Sequence, residues 1–433
     1  MAQDTTDRQF SALIKEYMPL DMMKEEIIKR DWFLQNSSID QNYKGGTLYV
    51  PFKAAKPRNF RYGNYVSDSG IKRTQYVKAK ITGYKEVWGS LKFDDSDLSE
   101  HGDMKTSFLK ILPNHIDDML VDFREMVSQA FLNGAWMCRV TADSASADGK
   151  IIVDRPEKLE LDQRVVIVEY TNGYAAAATH YIGNDSASVG YKEAYVKSIN
   201  MESNEVVIAD ASGTALDLSA GGEDLDATPY ACRIFPEDGE NADNQFLSLR
   251  SASLSALNGG AAELYGETKL SYPYLQSQNY DGSTINATNI LEKIFGFYTT
   301  TKRVGKGLPK KIVLSDKHGS SIKKALEVSR TYEAKDTKAS VYGWEEMTIG
   351  GAKGQLDIVI VNEIDDDIIL TLDPRSWKVY SNGFFERRED PDGKAYYTVR
   401  GDTGTYYIVD VRFFGEMVVH TPSYNAIIHG VSY

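Results

Sequence analysis

A chain of 433 residues, 42% hydrophobic and 26% charged, is ordinary globular material long enough for two or three domains, which excludes disorder as the default. A formal net charge of −13 excludes tight, charge-driven binding of nucleic acid by the molecule as a whole, because phosphate contacts need a positive surface. No run approaches the roughly 18 apolar residues of a membrane span, and the opening residues lack a leader's basic start and apolar stretch, so synthesis in a cytosol and no membrane partner are expected.

Residues 10–34 carry helical spacing, with Leu13, Ile14, Tyr17, Leu20, Met23 and Ile27 recurring every three or four positions, and Pro19 is expected to break the run in two. Residues 40–93 follow with 11 Lys or Arg against three acidic residues, a local balance of +8 that leaves −21 on the rest of the chain. Within this stretch Ile71, Val77, Ala79 and Ile81 alternate with Lys72, Tyr76, Lys78, Lys80, Tyr84 and Trp88. The pattern predicts one long, two-stranded, basic and aromatic arm. An isolated hairpin is marginally stable in water, so the arm needs a surface to lie on, and an acidic copy of the same protein is the first candidate. Its subunit-contact candidates are Lys53, Lys56, Arg58, Arg61, Lys72, Arg73, Lys78, Lys80, Tyr84, Lys85, Trp88 and Lys92. The interleaved aromatics also resemble a stacking platform for single-stranded nucleic acid, but no matching motif accompanies them, and protein contact is the preferred reading.

Asp94, Asp95, Asp97 and Glu100 close the arm, and a short helix is predicted to start near Asp103. A longer helix follows with Pro113 in its first turn and a stripe of Ile116, Met119, Leu120, Phe123, Met126, Val127, Ala130 and Phe131. Asn133 and Gly134 supply its C-terminal cap. At about 1.5 Å per residue this spine is roughly 30 Å long.

After Trp136 the composition shifts toward Ala, Ser, Asp and Gly, and six short β-like runs lie between about 150 and 235, separated by turn clusters such as Asn172-Gly173 and Gly221-Gly222. Their spacing predicts an inserted small antiparallel barrel or sandwich. Cys138 and Cys232, the only cysteines, flank it; they lack zinc spacing and read as two unpaired buried thiols rather than a bridge. Residues 210–243 carry nine acidic residues against the single Arg233, read as a solvated face or a docking surface for the basic arm. A helical stripe then runs from Thr284 to about Thr301, and residues 311–314 read as a buried strand followed by a helix with Ser315 as N-cap. Residues 356–361, 367–374 and 377–381 add three strands of the same mixed α/β unit, and the last 50 residues read as strands joined by hairpin turns.

Searches for chemistry come back empty. The dinucleotide, P-loop, zincin, nucleophile-elbow and CxxC patterns are all missing, and the six His residues lack metal-ligand spacing. Asp365, Asp366 and Asp367 invite a calcium or magnesium reading, but consecutive strand residues cannot all face one ion, so a solvated turn is preferred. No catalytic, cofactor or metal residue is nominated.

In order, a helical N-terminal arm, a two-stranded loop (GGTLYVPFKAAK through GYKEVWGSLKF), a short helix, a spine helix ending in FLNG, an inserted β domain and a mixed α/β unit closing in RFFGEMVVHTPSYNAIIHG resemble the major capsid proteins of tailed bacteriophages, the Hong Kong 97 fold. The resemblance covers nearly the whole chain, insertion aside, and rests on element order, lengths and the closing strand pattern. It implies an α+β fold with an N-terminal arm (1–38), an extended E-loop (39–98), a P-domain with spine helix (99–140), an inserted mostly-β domain (141–235), a P-domain continuation (236–309), an A-domain (310–380) and closing P/A strands (381–433). It implies no enzyme activity and no cofactor. The implied function is self-assembly into hexamers and pentamers of an icosahedral shell around double-stranded DNA, made in the bacterial host cytoplasm and resident in the virion. The implied partners are the protein itself, a separate scaffolding protein, a portal and a decoration protein. Some members cross-link a loop Lys to a neighbour's Asn, for which Lys85 and Lys92 are candidates, although salt bridges are the preferred role. An encapsulin-type compartment shell shares the fold and is the nearest alternative. From another class, a β-rich binding protein or glycoside-acting enzyme would need a cleft with convergent carboxylates or exposed Trp.

Overall fold

A computed structural model describes residues 11–12, 14–15, 28, 31–41, 43, 47–55, 75–81, 85–94, 108–143, 148–170, 178–182, 194–216, 232–237, 239, 245–255, 262–272, 274–304, 309–329, 346–351, 354–390, 392–401 and 404–431. They form two compact units, the first from residues 1–46, 82–129 and 378–418 and the second from 47–81, 130–377 and 419–433. Helices and sheets are mixed in the α+β manner expected.

The first unit is built on the 16-residue strand Gly404–Val419. It pairs antiparallel with Lys85–Asp94 and with Tyr397–Gly401, and it neighbours Trp377–Arg387, which carries Ser38–Asp40 in parallel at the edge. Alternation sets the faces: Val409, Val411 and Phe413 are all buried. The spine helix Phe108–Leu132 packs its stripe there, with Phe123 edge-on to Phe385 at 5.6 Å and Phe385 against Phe413 at 5.5 Å. Gly89 is what allows the close approach, since a Cβ there would meet the Phe123 ring at 2.9 Å.

Two readings change in this region. A single helix starts at Phe108, so Pro113 lies in its second turn, where the missing N–H forgoes one backbone bond. The short helix near Asp103 lies outside the described residues. Trp377–Arg387 belongs to the first unit's sheet rather than to the mixed α/β sheet, because its partners are Ser38–Asp40 and Gly404–Val419. Of the N-terminal arm, residues 11–12, 14–15 and 28 are helical and Trp32–Gln35 forms a short helix whose N-cap Asp31 accepts from the Leu34 amide at 2.6 Å; the break at Pro19 lies outside the described residues.

The second unit holds three sheets of consequence. Leu48–Ala55 and Gln75–Ile81 form an antiparallel hairpin. Cys138–Asp143, Lys150–Val153, Glu205–Ala209, Ala194–Asn200, Arg164–Tyr170 and Cys232–Pro236 pair in that order and close on themselves, with Ala178–Ile182 added outside Arg164–Tyr170. All six predicted β runs therefore contain strands, and with Cys138–Asp143 they build a small closed antiparallel barrel. Its core is aliphatic, Val140, Ile151, Val165, Ile167, Val196, Val206, Ile208 and Ile234 among others, and contains both Cys138 and Cys232 as buried thiols. Burial, seconded by Asp154 and Glu157, holds the Cys138 thiol well above its usual range.

The third sheet is six-stranded and mixed, ordered Gln278–Asp281, Ala426–His429, Ile368–Leu372, Lys311–Leu314, Gly354–Ile360, Glu346–Gly351. Helices Ile290–Val304 and Asp316–Ser329 bury Ile290, Ile294 and Ile322 against Ile312, Leu314, Ile358 and Ile428. Ser315 stands just before the second helix as expected, but its hydroxyl is buried without a hydrogen-bond partner, so the predicted side-chain cap is not made.

Candidate functional site

The basic arm is shorter than its sequence pattern. Gln75–Ile81 pairs with Leu48–Ala55, whereas Lys85–Asp94 leaves the hairpin for the first unit's sheet, so alternation that looks continuous through Trp88 belongs to two strands in different sheets. The hairpin has two unlike faces. Val50, Phe52 and Ile81 are buried on one, while Tyr49 (60% exposed) and Tyr76 (65%) stand with exposed Lys78 and Lys80 on the other. Register places Tyr49 opposite Lys80 and Pro51 opposite Lys78. A row of cations and aromatic rings thus faces outward from a strand pair whose reverse side is anchored.

Lys53 lies in the hairpin opposite Tyr76, its side chain outside the described residues; Lys56, Arg58, Arg61, Lys72, Arg73 and Tyr84 lie outside them entirely. The three remaining candidates, Lys85, Trp88 and Lys92, make contacts inside their own chain. Lys85 Nζ is 4.0 Å from Glu416, Lys92 Nζ sits 3.6 Å above the Tyr406 ring, and the Trp88 indole donates to Glu86 at 3.1 Å. Trp88 also lies between the guanidinium groups of Arg412 and Arg388, at 5.5 and 5.9 Å from its ring centre. Trp88, Arg388 and Arg412 line an open groove of about 700 Å³ with Phe385, Glu386, Arg387 and Glu389. Its cations are balanced locally, Arg412 by Glu386 at 2.7 Å and Arg388 by Asp410 at 3.7 Å.

The triple aspartate is not a solvated turn, contrary to expectation. Asp365 and Asp367 are 3% and 8% exposed, and Arg250 reaches both, at 2.6 Å to Asp365 and 2.7 Å to Asp367. Arg139 adds a contact to Asp367 at 3.3 Å and holds Asp154 through its amide and Nε. Burial works against the Arg139 charge, but Asp367, Asp365 and Asp154 outweigh it and raise its pKa well above the ordinary value; burial in turn lifts the Asp154 carboxyl above the usual carboxylate range. Trp136 donates its indole N–H to Asp365 at 3.2 Å and stacks under Arg233 at 4.0 Å. Asp366 points elsewhere: its carbonyl lies 2.6 Å from His318 Nε2 and its carboxylate 3.9 Å from Arg155. Gly134 (φ +145°) makes the turn into this cluster, where a Cβ would overlap the Trp136 ring.

The cluster ties the foot of the barrel to the loop between two strands of the six-stranded sheet. Sequence reasoning missed it because its partners lie 115 and 117 residues apart. The available signal was Arg139 and Arg233 inside otherwise apolar strand runs, since an arginine in such a place needs a carboxylate. Every carboxylate here is engaged by arginine, indole or backbone N–H, and no group of three ligands arranged for a metal ion occurs among the described residues. Of the acidic region 210–243, Asp210 caps an exposed turn through Ser212 and Thr214, Glu237 pairs with Arg164, and 217–231 lie outside the described residues. No described helix is long and apolar enough to cross a membrane.

No protein-family model and no curated protein sequence matches the chain. Solved structures do match. The capsid asymmetric unit of cyanophage A-1(L) superposes with a TM-score of 0.50 at 9% identity, over 92% of this chain and 91% of that one. The capsid of a native GTA particle gives 0.44 at 8% identity over 92% and 89%, and the SrpI encapsulin of Synechococcus elongatus PCC 7942 gives 0.37 at 8% over 93% and 87%. The cyanophage match extends over nearly all of both chains, and the fold is that of tailed-phage major capsid proteins, as the resemblance read from the sequence implied.

Proposed function

We propose that this chain, having the fold of a phage capsid protein, is the major capsid protein of a tailed phage, a non-enzymatic subunit that assembles into hexamers and pentamers of an icosahedral shell around double-stranded DNA. Within the proposed E-loop, residues 39–98, Leu48–Ala55 and Gln75–Ile81 form the hairpin, while Lys85–Asp94 joins the sheet of Gly404–Val419, which with the spine helix Phe108–Leu132 makes up the P-domain. Residues 310–380, which supply the strands Lys311–Leu314, Glu346–Gly351, Gly354–Ile360 and Ile368–Leu372, are the A-domain, and residues 141–235, which hold most of the barrel, are the insertion. A separate scaffolding protein, a portal and a decoration protein complete the expected partners, and the virion is its destination.

The observation that carries the reading is the two-faced hairpin. One face is buried, with Phe52 stacked on Tyr265, and the other presents Tyr49, Tyr76, Lys78 and Lys80 to solvent from a chain whose remainder is strongly acidic. Aromatic burial and ion pairing with a second copy both require such a face.

The test is negative-stain electron microscopy of the purified chain beside a variant carrying Tyr49→Ser, Tyr76→Ser, Lys78→Glu and Lys80→Glu. Deletion of the whole arm is a poor substitute, because it removes part of Lys85–Asp94, a strand of the first unit's sheet. Shells or capsomers from the natural chain, and only smaller species from an equally folded variant, support the reading. Small, uniform species from both, even with a scaffolding protein supplied, overturn it. Shells that form but enclose a protein cargo and no DNA point to a compartment instead.

A further inference from the structure

Residues Glu263–Leu264 and Glu267–Thr268 form a miniature hairpin whose two-residue turn is Tyr265-Gly266. Both turn residues have positive φ, +58° and +82°. Tight hairpin turns of this hand favour Asn, Asp or Gly at the first position, because a bulky side chain is strained there. A tyrosine at that place is unfavourable for the turn itself. Its side chain therefore has to be compensated by what it touches.

It touches the assembly arm. The Tyr265 ring stacks on Phe52 with centroids 5.0 Å apart and planes 19° from parallel, and its hydroxyl accepts a hydrogen bond from the Val419 amide at 2.8 Å. Phe52 is 2% exposed in the hairpin strand opposite Val77, with His420 at 6.0 Å as a further aromatic neighbour. The miniature hairpin is itself fixed from behind: Lys269, 4% exposed, donates from Nζ to the carbonyls of Ser251 and Leu254 at 2.9 Å each, at the end of the short helix that carries Arg250. The arm base is thus held by a strained residue on a stapled support.

We propose that Tyr265 is a positioning residue for the arm, clamping Phe52 so that the hairpin leaves its unit in one direction with Tyr49, Tyr76, Lys78 and Lys80 turned outward. The importance of that direction rests on the assembly reading; the clamp itself is tested without assembly. The Tyr265 ring stacks on Phe52 of the hairpin, so loss of the ring should loosen the hairpin.

The experiment is hydrogen–deuterium exchange on the full, unassembled chain with Tyr265→Asn, which suits the turn but has no ring, and Tyr265→Phe, which keeps the ring and loses the acceptor for Val419. In Tyr265→Asn the protected amides of residues 48–53 should exchange roughly tenfold faster, the scale of one lost aromatic pair, while those of the barrel strand Glu205–Ala209 keep their protection. Tyr265→Phe should fall between Tyr265→Asn and the natural chain. Unchanged protection in residues 48–53 overturns the clamp. Should Tyr265→Asn loosen the barrel as well, Phe52→Leu decides from the other side: loss confined to the hairpin supports the clamp, and global loss or none overturns it. The two readings fail separately. A loosened hairpin with normal shells defeats the assembly role and leaves the clamp standing; an unchanged hairpin, with shells abolished by the exposed-face variant, does the reverse.

Discussion

The lysines of the arm and the aspartates of residues 365–367 look alike in the sequence, each a run of one charge beside apolar strands, yet they have opposite fates. Lys78 and Lys80 stand in solvent beside two exposed tyrosines, while Asp365 and Asp367 are buried under Arg250, Arg139 and Trp136. The difference lies in what the opposite charge is doing. Arginines in the strand Cys138–Asp143 and the helix Leu249–Ser253 reach the aspartates across long sequence separations, whereas among the described residues no carboxylate pairs with Lys78 or Lys80. Charge satisfied inside one subunit fixes that subunit's shape. Charge held out on an anchored strand is available to another.

The comparison breaks most readily at the buried end. Arg250→Met leaves Asp365 and Asp367 without their closest cation in a buried setting, and removal of one partner from such a pair typically costs about 3–5 kcal/mol. Urea denaturation followed by circular dichroism should show the midpoint fall accordingly. Adding Asp365→Asn and Asp367→Asn to the same chain should recover part of the loss, because the unpaired charges go with the arginine. A midpoint within error of the natural chain for Arg250→Met alone would mean that the cluster is decoration.

Lys269 gives an intermediate case, a cation buried within the subunit and held by carbonyls. Burial lowers its pKa from 10.5 to about 7, so the unfolded chain binds a proton that the folded chain gives up. Its contribution is therefore unfavourable below pH 7 and diminishes as pH rises from 7 toward 10.5, at a rate approaching 1.4 kcal/mol per pH unit by the usual linkage relation. From pH 7 to 8.5 the gain should be about 1–2 kcal/mol. Urea titrations at both pH values, on the natural chain and on Lys269→Met, should show that increment in the first and not in the second; equal increments would sink the assignment.

How much of this was legible in the sequence follows the same division. The barrel strands were readable because alternation and turn residues are local, and the Phe123 stripe was readable because a period near four survives any tertiary context. The resemblance to phage capsid proteins likewise rests on local elements in order, and the fold bears it out. The arm was overextended because Gln75–Ile81 and Lys85–Asp94 alternate in phase across Thr82, Gly83 and Tyr84, and periodicity carries no record of which partner a strand takes. The buried cluster was illegible for a stronger reason: pairing of Arg250 with Asp367 is decided by topology, and nothing near either residue names the other. Tyr265 was invisible too, since a tyrosine betrays strain only once its φ is known.

The smallest effect on stability should come from the exposed end, and there it carries the most meaning. The variant with Tyr49→Ser, Tyr76→Ser, Lys78→Glu and Lys80→Glu alters only residues that are exposed in the single chain, so its unfolding midpoint should shift by no more than about 0.5 kcal/mol per site. Assembly should nevertheless be lost. Splitting the variant in two sharpens the point. If ion pairs dominate the contact, Lys78→Glu with Lys80→Glu should abolish shells, and raising salt from 0.05 to 0.5 M should weaken assembly of the natural chain, since exposed charges are screened over a few ångströms at high ionic strength. If aromatic burial dominates, Tyr49→Ser with Tyr76→Ser should be the more severe pair and salt should matter little. Light scattering on both pairs across that salt range separates the cases. Full assembly by the lysine pair at every salt would reassign the lysines to keeping an exposed strand edge from indiscriminate pairing, a common use of lysine on strands, and would leave the tyrosines as the contact.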